Sequence, residues 1–137
     1  MRKWFVFLFL FLFLAFPALA EPPTRDYTTV TKVETTTSAT ADNTLWDPDA
    51  GKRIVILGVA MSSTGFVDVE LEVSDVDVIN PIHLGSPGTY LKESGGRPIY
   101  VGDKDGVLNW TASIIGRGPN QTFPDVSIMV WGYEETV

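Results

Sequence analysis

Polar and apolar residues alternate in short runs from residue 53 to residue 133, and no stretch of this body repeats apolar residues at helical spacing. The clearest run is FVDVELEV (66–73). As a strand, this run would place Val67, Val69, Leu71 and Val73 on one face and Asp68, Glu70 and Glu72 on the other. VLNWTASII (107–115) likewise sets Leu108, Trp110, Ala112 and Ile114 on one side. RIVILGVAMSS (53–63) is apolar on both faces, which predicts a central strand. VDVINPIHL (76–84) is a further strand, with Pro81 marking an edge or a bend. TYLKE (89–93), PIYVG (98–102) and DVSIMVWGY (125–133) complete the set. Between them lie turn sequences: Ser62-Ser63-Thr64-Gly65, Ser94-Gly95-Gly96-Arg97 and Asp103-Lys104-Asp105-Gly106. The pattern predicts an all-β domain over residues 44–137, a single antiparallel β-sandwich of jelly-roll type with seven to eight strands.

The N-terminus follows another rule. Arg2 and Lys3 precede 13 consecutive apolar residues (4–16), and Ala18-Leu19-Ala20 follows with small residues at the spacing a signal peptidase reads. Residues 1–20 are expected to be a secretory signal cleaved before Glu21, so the mature chain is expected outside the cell or on its surface. A helix of that apolar run spans only ~20 Å, short of a bilayer core. Membrane contact is therefore expected only through the signal. Without cysteine, a lipid-modified N-terminus is excluded, and so is a disulfide framework.

Residues 21–43 form a Thr-rich leader. Nine threonines fall among residues 24–44, with no glycine, a composition that favours extended backbone over a slack linker. Tyr27, Val30 and Val33 are its large apolar side chains from residue 24 to residue 38. Three roles are open to it: a spacer, an edge strand of its own sheet, or an assembly strand given to a neighbour.

Charge narrows the partners. Without residues 1–20 the chain has 8 basic and 17 acidic residues, a net charge of −9. Such a surface repels nucleic acid and anionic lipid. The order TLWDPDAGKRIVILGVAMSS, VDVELEV, PIHL, PIYVGDKDGVLNWTAS, VSIMVWGYEE resembles small β-sandwich proteins of tailed phages and prophages over residues 44–135. The resemblance implies a sandwich fold and a structural role.

Three acidic turns invite Ca²⁺, which takes six or more oxygens from carboxylates and loop carbonyls. They are Asp47 with Asp49, Asp75 with Asp77, and Asp103 with Asp105. Turn formation alone explains the same residues. Ca²⁺ is the one cofactor entertained. No catalytic constellation emerges: His83 near Ser86 lacks a spaced acid, and Glu70 and Glu72 sit on a solvent face. Trp46, Tyr90, Trp131 and Tyr133 are candidate ligand or partner contacts, whereas Trp110 falls in the core phase. Trp131 and Tyr133 stand out of phase with Val126, Ile128 and Val130, so one of those two faces looks outward or into a partner. Asn109 and Asn120 head glycosylation acceptor patterns. The expectation is a secreted, non-enzymatic structural or surface-assembly protein, a filament, appendage or surface-layer subunit, whose partner is itself or a cell-surface component. The alternative is an extracellular module that binds a glycan or surface ligand, with or without Ca²⁺.

Overall fold

A computed structural model describes residues 27–74, 76–116 and 122–137. Residues 1–20, expected from the sequence to be a secretory signal, lie outside these residues, as do Asp75 and Asn120. Nine strands follow in order: β1 Val30–Thr36, β2 Thr40–Trp46, β3 Lys52–Ser63, β4 Val67–Val73, β5 Val76–Leu84, β6 Gly88–Glu93, β7 Tyr100–Val101, β8 Leu108–Ile114 and β9 Val126–Thr136. Two antiparallel sheets form the sandwich. Sheet A runs β1-β9-β3-β6, with β7 also beside β3, and sheet B runs β2-β8-β4-β5.

The short β6 and β7 share one position, because β7 pairs with Val55 and Ile56 while β6 pairs with Gly58 to Ser63. Eight strand positions are thus filled. Every connection crosses between the sheets except β4–β5 and β6–β7, and the first strand lies beside the last. This is the jelly-roll arrangement of two interlocked Greek keys.

The alternation seen in the sequence becomes burial. Along β4 the apolar positions are buried and the acidic ones half-exposed. Val67, Val69, Leu71 and Val73 meet Leu108, Trp110 and Ala112 of β8 and Ile54, Ile56, Val59, Ile128 and Val130 of sheet A in one core. Each fully buried side chain of this size contributes roughly 1.5–3 kcal/mol. β3 is central, as its two apolar faces predict. Pro81 lies in the edge strand β5 at a bulge, where Val69 pairs with Ile82 but Leu71 pairs with Ile79.

Of the three roles open to the leader, residues 30–36 take that of an edge strand of their own sheet: β1 pairs with β9 from Val30↔Gly132 to Thr36↔Val126, and β2 runs across residue 44. Threonine offers little apolar surface to bury. What holds β1 is backbone pairing to a strand about a hundred residues away. Its positions that face the second sheet include Lys32 and Glu34, and Lys32 Nζ lies 5.8 Å from the centre of the Trp46 ring. Inward charges of this kind keep an edge from pairing with other edges. One expectation changes: Trp46 is 1% exposed in the core and is not a surface contact.

β3 and β9 approach most closely at a bulge: Ile56 pairs with Gly132, Gly58 pairs with Trp131, and Leu57 is the extra residue. A Cβ on Gly132 would lie 2.0 Å from the Val55 carbonyl oxygen, and one on Gly58 would lie 1.9 Å from Trp131 Cζ2. The first glycine lets two backbones meet, and the second leaves room for an indole laid across β3.

Candidate interaction face

The two outer faces of the sandwich differ in chemistry. The strands of sheet B carry Asp42, Asp68, Glu70, Glu72 and Asp77, and no lysine or arginine. The strands of sheet A carry both signs, Lys32, Lys52, Arg53 and Lys92 with Glu34, Glu93, Glu134 and Glu135, and of these only Arg53, Glu93 and Glu135 share the outward phase.

On the outer face of sheet A, the registers place side chains in rows across the strands. One row is Val33, Met129, Ala60 and Leu91, drawn from β1, β9, β3 and β6. Val33 is 57% exposed, Leu91 64% and Met129 37%. The next row towards the C-terminal end of β9 is Thr31, Trp131, Gly58 and Glu93. Beyond it, Tyr133, Val55 and Val101 align, and Tyr27 stacks on Tyr133 with ring centres 3.9 Å apart. On the other side lies a row of hydroxyls: Thr35, Ser127, Ser62 and Thr89. The result is an apolar, aromatic centre with a polar border, the anatomy of a protein contact. Four of the seven large apolar residues exposed among those described, Val33, Leu91, Val101 and Met129, lie on this face.

Of the four aromatic candidates, Trp131 and Tyr133 belong to this face, half-buried. Tyr90 pairs with Met61 and packs inward against the core, and Trp46 is buried. Tyr27 and Val33 reach the outer face, while Val30 packs on the core edge. Sequence reasoning missed Leu91, Met129 and Val101. Each looks incidental within its own strand until the register sets them side by side.

Two of the acidic turns meet at one end of the sandwich, where the Asp49 and Asp105 carboxylates hold Lys52 and the Gly51 amide. Asp49 Oδ2 accepts from Lys52 Nζ at 2.5 Å, and Asp105 Oδ1 accepts from the Gly51 amide at 2.5 Å. The Asp105 amide donates to the Lys52 carbonyl at 2.7 Å, and the Gly106 amide to the Asp103 carbonyl at 3.1 Å. Lys52 holds the Asp49 carboxyl below its ordinary value. Asp47 is exposed beside this turn. The carboxylates that do converge are Glu70, Glu72 and Asp77 on sheet B, with oxygens within 4.8 Å of one another.

Glu134 organises the same end. Its Oε1 accepts from the buried Trp46 Nε1 at 2.9 Å, and Oε2 accepts from the Asp49 amide at 3.2 Å and lies 3.4 Å from Lys52 Nζ. Burial pushes its carboxyl up, but these three donors outweigh that and hold it below its ordinary value.

His83 Nδ1 contacts the Asp68 carboxylate on the open face of sheet B, and Ser86 Oγ donates to the Thr64 carbonyl at 3.0 Å. The two side chains thus serve separate local contacts. Asn109 is half-buried in the middle of β8, and the Thr111 hydroxyl of its acceptor pattern already accepts from the Asp42 amide.

No protein-family model matches the chain, and no curated protein matches it. Among solved structures it is similar to a chain of the acidic stable capsid structure of Helicobacter pylori bacteriophage KHP30. The identity is 10% and the TM-score 0.50, over 81% of this chain and 96% of that one. The likeness to phage-type β-sandwich proteins therefore holds at the level of the fold.

Proposed function

We infer that this chain is a secreted, non-enzymatic structural protein that works by contact, with the outer face of sheet A as its docking surface in an extracellular assembly. The observation that carries this reading is the contrast between the two faces, one apolar with few charges, the other acidic and lacking lysine or arginine in its strands. A domain that only needed solubility would gain nothing by gathering its exposed apolar residues on one side. The fold shared with a capsid chain agrees with a building-block role. The signal sequence directs the work outside the cell.

A producing strain tests the reading. The secreted chain should have the intact mass that begins at Glu21. It should also pellet with sheared surface material on ultracentrifugation, while Leu91→Glu remains in the supernatant. Equal pelleting of the two, or retention of residues 1–20, would count against it.

A glycan-binding reading has one observation in its favour. A cleft of about 460 Å³ at one end of the sandwich is bordered by Thr35, Ser62, Thr89 and Ser127, with Asp125 beside them. Binding to a glycan array that is lost in Thr89→Val would support it.

A further inference from the structure

We propose that the outer face of sheet A pairs with the same face of a second copy, about a two-fold axis that runs along the strands midway between β9 and β3. This deepens the docking-face reading and rests on it. The argument is one of register. A two-fold axis so placed sets β9 of each copy over β3 of the other, and β1 over β6, row upon row.

Each row then meets its own reverse, and the reverses match. Met129 lies over Ala60 of the second copy, and Val33 over Leu91 of the second copy, because these four residues share one row. On the two inner strands a large side chain thus falls where the facing strand has a small one, and on the outer pair two apolar side chains, Val33 and Leu91, meet. β3 presents only Ala60 and Ser62 openly along this stretch, a shallow trough between the ridges of β9 and β6, and its Gly58 is covered by the Trp131 indole. The Trp131 indoles, each laid over its own Gly58, meet across the axis.

The charged rows match as well. Glu135 and Arg53 are cross-strand partners, already paired at 2.5 Å within one chain. The two-fold sets Glu135 over Arg53 of the second copy, so the ends of the face attract. Thr31 lies over Glu93 of the second copy, a hydroxyl donor above a carboxylate, and the hydroxyl row faces hydroxyls. No acidic group is set directly over another. The chain as a whole has a net charge of −7, so this matching is a feature of the face.

Size and long-range charge agree. Four strand positions ~4.8 Å apart and about ten residues at ~3.3 Å give a footprint of roughly 600 Å² per copy. That is roughly 1,200 Å² in all, the lower end for specific interfaces, and it implies a dimer seen at micromolar concentrations and above. The acidic outer faces of the two B sheets would point away from each other across four layers, ~30 Å apart. This is about three Debye lengths at physiological salt, so they do not oppose the pairing.

Light scattering after size exclusion, on the full chain as secreted, at about 5 to 200 µM, tests the proposal. The wild type should pass from monomer to dimer mass over this range. Met129→Glu should remain monomeric with an unchanged circular dichroism spectrum. Phe66→Glu, which changes an exposed apolar residue outside the rows, should still dimerise. A mixing experiment removes doubt about folding. Chains with Met129→Glu and Ala60→Glu, and chains with Met129→Lys and Ala60→Lys, should each be monomeric alone and form a 1:1 dimer together. A wild type that stays monomeric throughout, a dimeric Met129→Glu, or no dimer on mixing would overturn the proposal. If the wild type is monomeric yet Leu91→Glu still loses its place in pelleted surface material, the pairing fails and the docking-face reading stands. If Leu91→Glu pellets like the wild type, that reading fails too.

Discussion

Replacing Glu134 by alanine strands the indole N–H of a tryptophan that is 1% exposed. A buried donor without a partner costs about 1–3 kcal/mol. The Asp49 amide and Lys52 lose their acceptor as well, but both lie nearer to water, and that part is worth ~0–1 kcal/mol. The expected loss is about 1–4 kcal/mol, a fall in Tm of roughly 4–16 °C at ~4 °C per kcal/mol for a domain of this length. Glutamine keeps an oxygen for the indole and gives up only the charge, so Glu134→Gln should cost about 1 kcal/mol. Acid adds a second test with a definite sign. The Glu134 carboxyl is held below its ordinary value of 4.5 in the folded chain. Its stabilisation is therefore complete above that value and is lost as pH falls through the lower, folded-state value. The wild type should lead Glu134→Gln at pH 7, and the lead should shrink in acid below about pH 4.5. Urea melts followed by tryptophan emission measure all three chains. An alanine variant within ~0.5 kcal/mol of wild type, or a lead over the glutamine variant that does not change with pH, would refute the account of this hub.

Gly132→Ala forces apart the central β3–β9 pair, whose backbone lies 2.0 Å from the new Cβ, and should cost more than ~3 kcal/mol or prevent folding, as read by a thermal melt. Asp77→Asn relieves the like charge that faces Glu72 across β4 and β5 and should raise stability by about 0.2–1 kcal/mol in low salt, with less gain in high salt. Removing residues through Thr36 exposes the β9 edge and should lower the urea midpoint, and a synthetic β1 peptide should restore it; a truncated chain as stable as the parent would show that β1 contributes nothing. Asp105→Ala frees the Gly51 amide and should cost about 1 kcal/mol, whereas millimolar Ca²⁺ and a chelator should give the same wild-type melt, since Lys52 and the Gly51 amide already occupy the turn carboxylates.

The alternating runs determined the central architecture without help from tertiary contacts. β4, β5 and β8 lie within a residue of where periodicity put them, because a strand with one face in a core must alternate. Trp110 was readable as core for the same reason. Pro81 was readable as an edge residue because proline lacks the amide a central strand must donate. β1 and β2 were not readable in this way. Their side chains say only that extended backbone is acceptable, and the decision rests on the free edges of β9 and β8, about seventy to a hundred residues away. Trp46 looked like a surface aromatic in an acidic turn until closure of the two sheets buried its ring and aimed its N–H at Glu134. The candidate face divided in the same manner. Trp131 and Tyr133 were visible as out of phase with the core residues of β9. Their alignment with Val33, Leu91 and Val101 exists only through register, which is set by long-range hydrogen bonds and the β3–β9 bulge. Period-two alternation tells a strand which side chains share a face. Only pairing tells it which strands lie beside it, and a contact surface is made of neighbours.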